Sequence, residues 1–463
     1  MRRLNPMKLA SVASLSLIVT GCMGANVPSA DAPITQSEAQ QGAEFHPKLL
    51  QEFGGVYTGP QSAYVEQVGK NIAVQSGLGN ARESFTVSLL DSPVNNAFAV
   101  PGGYIYSTRQ LVALMNNEAE LAAVLGHEVG HVAARHSQRR QNAQQQNTLL
   151  GAVGAILSGV VLGDTQLGDT LSRGFLQGSQ LLTLKFSRSQ EIQADELGIQ
   201  YLNKAGYDPR AMGTVLQSLA LQNSLDARLQ GRDDARIPEW ASTHPNPASR
   251  VQTALQKAGA AGGTTNRDTF LTRIDGITYG DSPAQGVIEG RQFIHPELRL
   301  AFTVPQGYYM VNGTRAVSIS GQSGKAQFST GPYNGDLNSY IGGVFNSLSS
   351  QNQQLRPTNI QRTTVNGLQA AYGTAKVNSG NQTVDVVVFA YEFDNDTAYH
   401  FATISQAGRA SVFSPMFNSL RRISASQAAN VVPRVIDVVT VGRGDSVQSL
   451  SNRMAYENGK VER

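Results

Sequence analysis

The stretch LAAVLGHEVGHVAARH, residues 121–136, places His127 and His131 four residues apart, with Glu128 directly after the first. On a helix this spacing is about one turn, so both imidazoles project from the same face. Asn117 can cap such a helix and Glu120 follows three residues on, which predicts a helix from near Asn117 through both histidines towards Gln141. Two neutral imidazoles on a rigid helix suit a zinc ion and leave room for a third protein ligand and a water. Glu128 stands where its carboxylate can take a proton from that water, as a general base in metal-assisted hydrolysis. The chain has only seven histidines in 463 residues, which gives the spacing weight. His136 lies five residues beyond His131, about 140° around a regular helix, and is expected at the surface and not on the metal.

The third ligand has to come from elsewhere. HEVGHVAARHSQ lacks the glycine and third histidine at the metzincin spacing. EIQADELG is the better source, because Glu191 and Asp195 are again four apart and share one helical face. One carboxylate can bind the metal while the other accepts the outer ring N–H of a metal-bound histidine. Two like charges at this spacing are mildly unfavourable on a surface helix unless a cation neutralises them, and zinc is such a cation. RSQEIQADELGIQYLNKAG, residues 188–206, reads as a helix closed by Gly206 and the YDP that follows.

The N-terminus predicts export. A basic start, MRRLNPMK, leads into the apolar LASVASLSLIV and then TGC, the pattern of a secretory signal too short to span a membrane. VTGC resembles a bacterial lipobox, in which Cys22 becomes the acylated first residue of the mature chain. Cys22 is the single cysteine, so no disulfide can form within the chain. Met23 follows it where an aspartate would signal retention at the inner membrane, so the resemblance implies the outer membrane, facing the periplasm. Setting aside Arg2, Arg3 and Lys8 of the signal leaves 34 basic against 34 acidic side chains, which gives no basic face for a nucleic-acid partner.

Along the chain, residues 1–21 read as the signal and 22–44 as a small, polar tether. Residues 45–258 are mainly helical, interrupted by short β-type runs over 85–107 that break at Pro93 and at Pro101-Gly102-Gly103. The run Ala97, Phe98, Ala99 and Val100, just before the motif helix, can hold an extended substrate by strand addition or can be a fully paired core strand. The apolar residues 148–163 are too few for a span and read as a buried or lid-like helix, with a membrane-dipping segment as the alternative. GAAGGTTN opens an expected linker over 259–285. Residues 286–428 alternate β-rich runs with two helices, near 336–350 and 409–421, as in an α+β sheet domain in which His295 and His400 are structural or surface residues. The tail, 429–463, carries VVTVGRGDSVQSLSNRM, which resembles the first half of a LysM module: a strand, a GDS turn and a helix.

From about 45 to 255 the chain resembles the HtpX-like and CAAX-prenyl-protease-like zinc metallopeptidases, peptidase family M48, of the gluzincin group. NNAFAVPGGYIYSTRQLV, ELAAVLGHEVGHVAARH, SRSQEIQADELGIQYLNKAGYDP and STHPNPASR carry the resemblance, in that order. It implies a multidomain α+β chain: a mainly helical zincin-type domain with a small β-sheet, followed by an α+β domain with an antiparallel sheet. It implies one zinc ion held by His127, His131 and Glu191, Glu128 as general base, and Asp195 bonded to a ligand histidine. His244 is expected near the metal, meeting the oxyanion or filling the open coordination position in a closed state, and Arg250 supports the same region or meets the oxyanion itself. The expected function is a lipid-anchored envelope endopeptidase that degrades misfolded or mislocalised proteins, with unfolded or extended chains as substrates. The rivals are a chaperone-like assembly factor whose metal is structural, and a cell-wall-binding lipoprotein that engages peptidoglycan through its tail.

Overall fold

The computed structural model describes residues 32–79, 81–139, 186–229, 244, 247–260, 262–349, 354–379, 382–456 and 459–461. The signal, Cys22 and the apolar run 148–163 lie outside the described residues. Among the described residues no helix is long and apolar enough to cross a membrane.

The motif helix, Glu118–Ala133, runs through the first core, and every residue of it except Val132 is buried. A helix apolar all round belongs inside a fold, which explains why this one shows so little sidedness. Asn117 caps it through Oδ1, which accepts from the Glu120 N–H at 3.0 Å. The second helix, Arg188–Ala205, opens with a capping box between Ser187 and Gln190 and ends at Gly206 in the left-handed conformation, φ +80°. Glycines let the two helices approach backbone to backbone. A Cβ on Gly130 would stand 3.1 Å from the Ala194 carbonyl oxygen, and one on Gly198 would stand 3.1 Å from the His127 nitrogen. This seam brings the histidine pair and the carboxylate pair face to face.

A three-stranded sheet flanks the motif helix, with Thr86–Leu90 (β1), Ala97–Val100 (β2) and Tyr104–Thr108 (β3) in the order β1-β3-β2. β3 is parallel to β1 and antiparallel to β2, so among the described residues β2 is an edge strand paired on one side. The turn from β2 to β3 passes through Gly102 and Gly103 at positive φ, and a Cβ at Gly102 would fall 2.6 Å from the Glu38 carbonyl oxygen. The core is closed by helices Gln61–Ala73 and Ala211–Leu229, which contribute Val65, Val68, Ile72, Met212, Val215 and Leu219.

The stretch expected as a linker is part of this core. Thr264 bridges Tyr207 and its carbonyl accepts from Asp208 N–H at 3.0 Å, after which Arg267–Ile274 is a helix that buries Phe270 and Ile274. The glycine and threonine content of 259–266 is that of a linker, but Thr264 and Thr265 are tied to Asp208 and Ala119 through their carbonyls, and the apolar side chains that follow dock the segment. The tail is tied to the same region. Arg434–Val435 pairs with Thr278–Tyr279, and Val438 N–H donates to Asp275. The strand expected at the start of this run does not form there, whereas the GDS turn does lead into a helix, Val447–Ser451.

The α+β region has a seven-stranded antiparallel sheet, in the order Ile360–Val365, Leu368–Ser379, Gln382–Glu392, Ala398–Gln406, Gly324–Thr330, Ala316–Gly321, Tyr309–Asn312. Its faces alternate as a pleated strand requires. Val384, Val386 and Val388 pack under helix Leu337–Ser347, while Val387, Phe389 and Tyr391 face a second core with Phe302, Phe401 and Phe417. His400 is buried in the sheet and His295 is half-buried. The second expected helix is present as two short turns, Ala410–Phe413 and Ser414–Phe417.

Candidate metal centre

The seam between the two helices assembles one buried cluster, in which His127, His131, Glu191 and His244 each offer one ligand atom, all within 4.8 Å of one another. His127 Nε2 lies 3.0 Å from His131 Nε2 and 3.2 Å from His244 Nδ1. Glu191 places Oε1 3.6 Å from His131 Nε2 and Oε2 3.6 Å from His127 Nε2, and both oxygens 3.1 Å from His244 Nδ1. Donor atoms around tetrahedral zinc at its usual bond lengths are about 3.3 Å apart, so this set fits the ion.

Each ligand is held from behind. His127 donates its Nδ1–H to Asp195 Oδ1 at 2.9 Å, which leaves the Nε2 lone pair inward. Arg250 grips both carboxylates: Nε donates to Asp195 Oδ2 at 2.8 Å, Nη2 to Asp195 Oδ1 at 2.5 Å, and Nη1 to Glu191 Oε2 at 2.6 Å. All three of its nitrogens are thus committed to carboxylates. Its place is that of a clamp behind the ligands, the supporting position that was one of the two expected for it. Burial pushes the Asp195 carboxyl up, but the Arg250 charge and the His127 and Arg250 hydrogen bonds outweigh it and hold it at about 2. Glu191 is likewise lowered on balance, because His244, His127 and Arg250 outweigh its burial. Burial drives His131 well below the ordinary histidine range, as suits a neutral ligand.

Glu128 is fully buried beside this set, and neither carboxylate oxygen has a hydrogen-bond partner among the described residues. His244 stands beside it, with Nε2 3.5 Å from Oε1. Burial raises its carboxyl above the ordinary range, against the opposing charges of His244 and His127. A buried carboxylate left without donors on a structural helix would be costly, and its orientation towards the ligand cluster is that of a proton acceptor.

His136 is not at the surface. It is fully buried, and its Nδ1 lies 2.8 Å from His131 Nδ1. The expectation assumed a regular helix as far as Gln141, but the helix ends at Ala133 and Arg135 turns the chain at φ +51°. The Arg135 side chain braces that turn, donating to the carbonyls of Ala32 and Pro33 and to Glu38. Phe186, which the sequence did not single out, stacks on the His131 ring at 3.9 Å and 22°. Ala97, Phe98, Ala99 and Val100 are all buried, and Ala99 and Val100 line a small cleft shared with His131, Arg135 and Gln138. β2 is therefore both an edge strand and a neighbour of the ligand cluster.

Residues 60–258 match the family model described as Peptidase family M48. This part of the chain is an M48 metallopeptidase domain. The beta-barrel assembly-enhancing protease of Escherichia coli O157:H7 is 32% identical over 234 residues, covering 50% of this chain and 46% of that one. The mitochondrial metalloendopeptidase OMA1 of Arabidopsis thaliana is 35% identical over 173 residues, 37% of this chain and 31% of that one. The chain thus spans about half the length of the bacterial relative. A solved structure from Bacteroides thetaiotaomicron aligns with a TM-score of 0.22 at 10% identity, covering 30% of this chain and 50% of that one, a likeness too slight to bear on the fold. The M48 domain has the zinc dependence of its family, and the residues that fit the ion are the His127, His131, Glu191 and His244 set.

Proposed function

We propose that this chain is a zinc-dependent endopeptidase on the periplasmic side of a bacterial envelope that degrades misfolded or mislocalised proteins. The observation that carries the hydrolytic part is Glu128, fully buried beside the ligand set with both oxygens lacking hydrogen-bond partners. A structural metal site has no use for such a carboxylate. Bound zinc supplies Lewis-acid polarisation of the scissile carbonyl and makes water more acidic. Glu128 accepts one proton as the water oxygen attacks the carbonyl carbon. It then delivers that proton to the amide nitrogen as the C–N bond breaks. Extended substrates would lie along β2, whose unpaired edge can accept a strand with little demand on side-chain sequence.

A catalytic zinc site keeps one position open for water or substrate. Of the four residues that would hold the ion, His244 comes from neither seam helix and would be the one best placed to give way to substrate. The envelope assignment rests on VTGC, with Cys22 as lipid anchor, and on the likeness to a beta-barrel assembly-enhancing protease. The outer membrane is the proposed location.

Glu128→Gln tests the reading. Zinc content and melting temperature should stay near wild type while hydrolysis of an unfolded protein falls by about 10²–10⁴-fold. Wild-type turnover by a zinc-loaded Glu128→Gln protein overturns the role of Glu128 as base, and no hydrolysis by the zinc-loaded wild type leaves a scaffold with a structural metal.

A further inference from the structure

We infer that His136 and Gln193 are positioning residues that set the ring tautomer of the ligand His131. The argument starts from the far end of a short chain of contacts. Gln193 sits on the carboxylate helix, two residues after Glu191, and its Oε1 lies 3.0 Å from His136 Nε2. An amide oxygen can only accept, so His136 carries its proton on Nε2. A neutral imidazole protonated on Nε2 has a lone pair on Nδ1. That lone pair is 2.8 Å from His131 Nδ1, which therefore carries the N–H. His131 is then left with its lone pair on Nε2, the nitrogen that faces His127 Nε2 and Glu191.

The alternative tautomer is disabling. With the proton on Nε2, His131 would aim it at His127 Nε2, 3.0 Å away, and would have no lone pair for a metal. His127 has its own orienting partner, the Asp195 carboxylate, which cannot serve His131. The two ligand histidines are thus oriented by different chemistry: one by a charged carboxylate, the other by a neutral imidazole that an amide holds in register. The turn at Arg135 makes the second arrangement possible, since a helix continued past Ala133 would carry His136 away from His131. His136 is buried, whereas Gln193 is exposed on its own helix, so the amide can be altered without opening the core.

The inference rests on the metal reading of the cluster but is tested first without metal. In chelator-treated full-length protein, two-bond ¹H–¹⁵N correlation spectra of ¹⁵N-histidine should show His131 protonated on Nδ1 and His136 on Nε2. A wild-type spectrum with His131 protonated on Nε2 overturns the inference whatever the metal does. His136→Leu should turn His131 into a tautomer mixture and weaken zinc affinity in a chelator competition by about 10- to 100-fold, the usual cost of losing such a partner. His136→Asn, whose amide oxygen can replace the Nδ1 acceptor, should recover most of that loss. An equal loss in both variants assigns His136 to packing alone and overturns the inference. Gln193→Ala, at an exposed position, guards against a misfolded His136 variant: His136 should lose its single tautomer and His131 should follow. A single unchanged His131 tautomer in Gln193→Ala counts against the relay. Failure of zinc to bind wild-type protein, with the expected tautomers present, would strike the metal reading and leave the relay standing.

Discussion

Replacing Arg250 by methionine keeps much of the side-chain volume and removes the guanidinium that holds Asp195 and Glu191. The lost stabilisation can be bounded from Asp195. Its carboxyl is held at about 2 in the folded protein against an unfolded value of 3.8, which corresponds to about 2 kcal/mol. Because the folded value is the lower one, this stability is fully present above about pH 4 and is lost as the pH falls towards 2. Glu191 adds to it, so removing one partner of a buried, paired set should cost about 3–5 kcal/mol at pH 7. For a folding unit of roughly 200 residues that is a fall in melting temperature of about 6–20 °C. The assay is calorimetry in chelator from pH 7 to pH 4. Without the guanidinium, burial lifts the Asp195 carboxyl above its unfolded value, so the variant's native state takes up a proton on mild acidification. The gap between wild type and Arg250→Met should therefore narrow as the pH drops. Arg250→Lys should recover only part of the loss, because a single ammonium cannot reproduce a fork that reaches two carboxylates. A gap below 2 °C at pH 7, or one that stays constant to pH 4, refutes the clamp.

Two further outcomes test the fold around the site and beyond it. His400, buried in the seven-stranded sheet against Tyr340 and Ser329, has its titration pushed down by burial to about 4. Between about pH 6.5 and 4 the unfolded chain binds a proton that the native imidazole refuses, so stability falls with pH by about 3 kcal/mol. Urea melts of wild type and His400→Gln should converge by that amount over this window, and parallel curves sink the assignment. At the seam, Gly130→Ala sets a Cβ 3.1 Å from a backbone oxygen while improving helix propensity by about 1 kcal/mol. Its melting temperature should move little while zinc affinity drops, and Gly130→Val should lose both. Wild-type zinc affinity in Gly130→Val would show that the seam does not set the ligand distances.

Much of the centre is legible because helical periodicity is local. His127 and His131 four apart, and Glu191 and Asp195 four apart, each define a face without knowledge of the fold. The pairing of these faces comes from Gly126, Gly130 and Gly198, small residues whose role shows only when a neighbour is placed against them. His244 and Arg250 were reachable through family resemblance, since neither spacing nor periodicity links them to residues more than 40 positions away. His136 was misread for a specific reason: the 140° argument needs a regular helix, and the left-handed turn at Arg135 is braced by Ala32, Pro33 and Glu38, about 100 residues earlier. The stretch 259–285 fails similarly. Its composition is that of a connection, while its docking depends on Phe270 and Ile274 meeting a core assembled from distant helices.

The charge balance of the cluster explains why these parts occur together. Glu128, Glu191 and Asp195 are three carboxylates in a buried site, and Arg250 is the guanidinium that bonds two of them. With the carboxylates ionised, one positive against three negative charges leaves an excess of two, which a protein interior does not tolerate without a counter-charge. A divalent ion at the four ligand atoms cancels that excess. The histidines must then be neutral, which is what burial enforces on His131 and what an imidazole partner at its outer nitrogen preserves. A carboxylate behind His131, in place of His136, would add a fourth negative charge and upset this balance. Orienting His131 through the neutral His136 instead of a second carboxylate keeps the site matched to a dication.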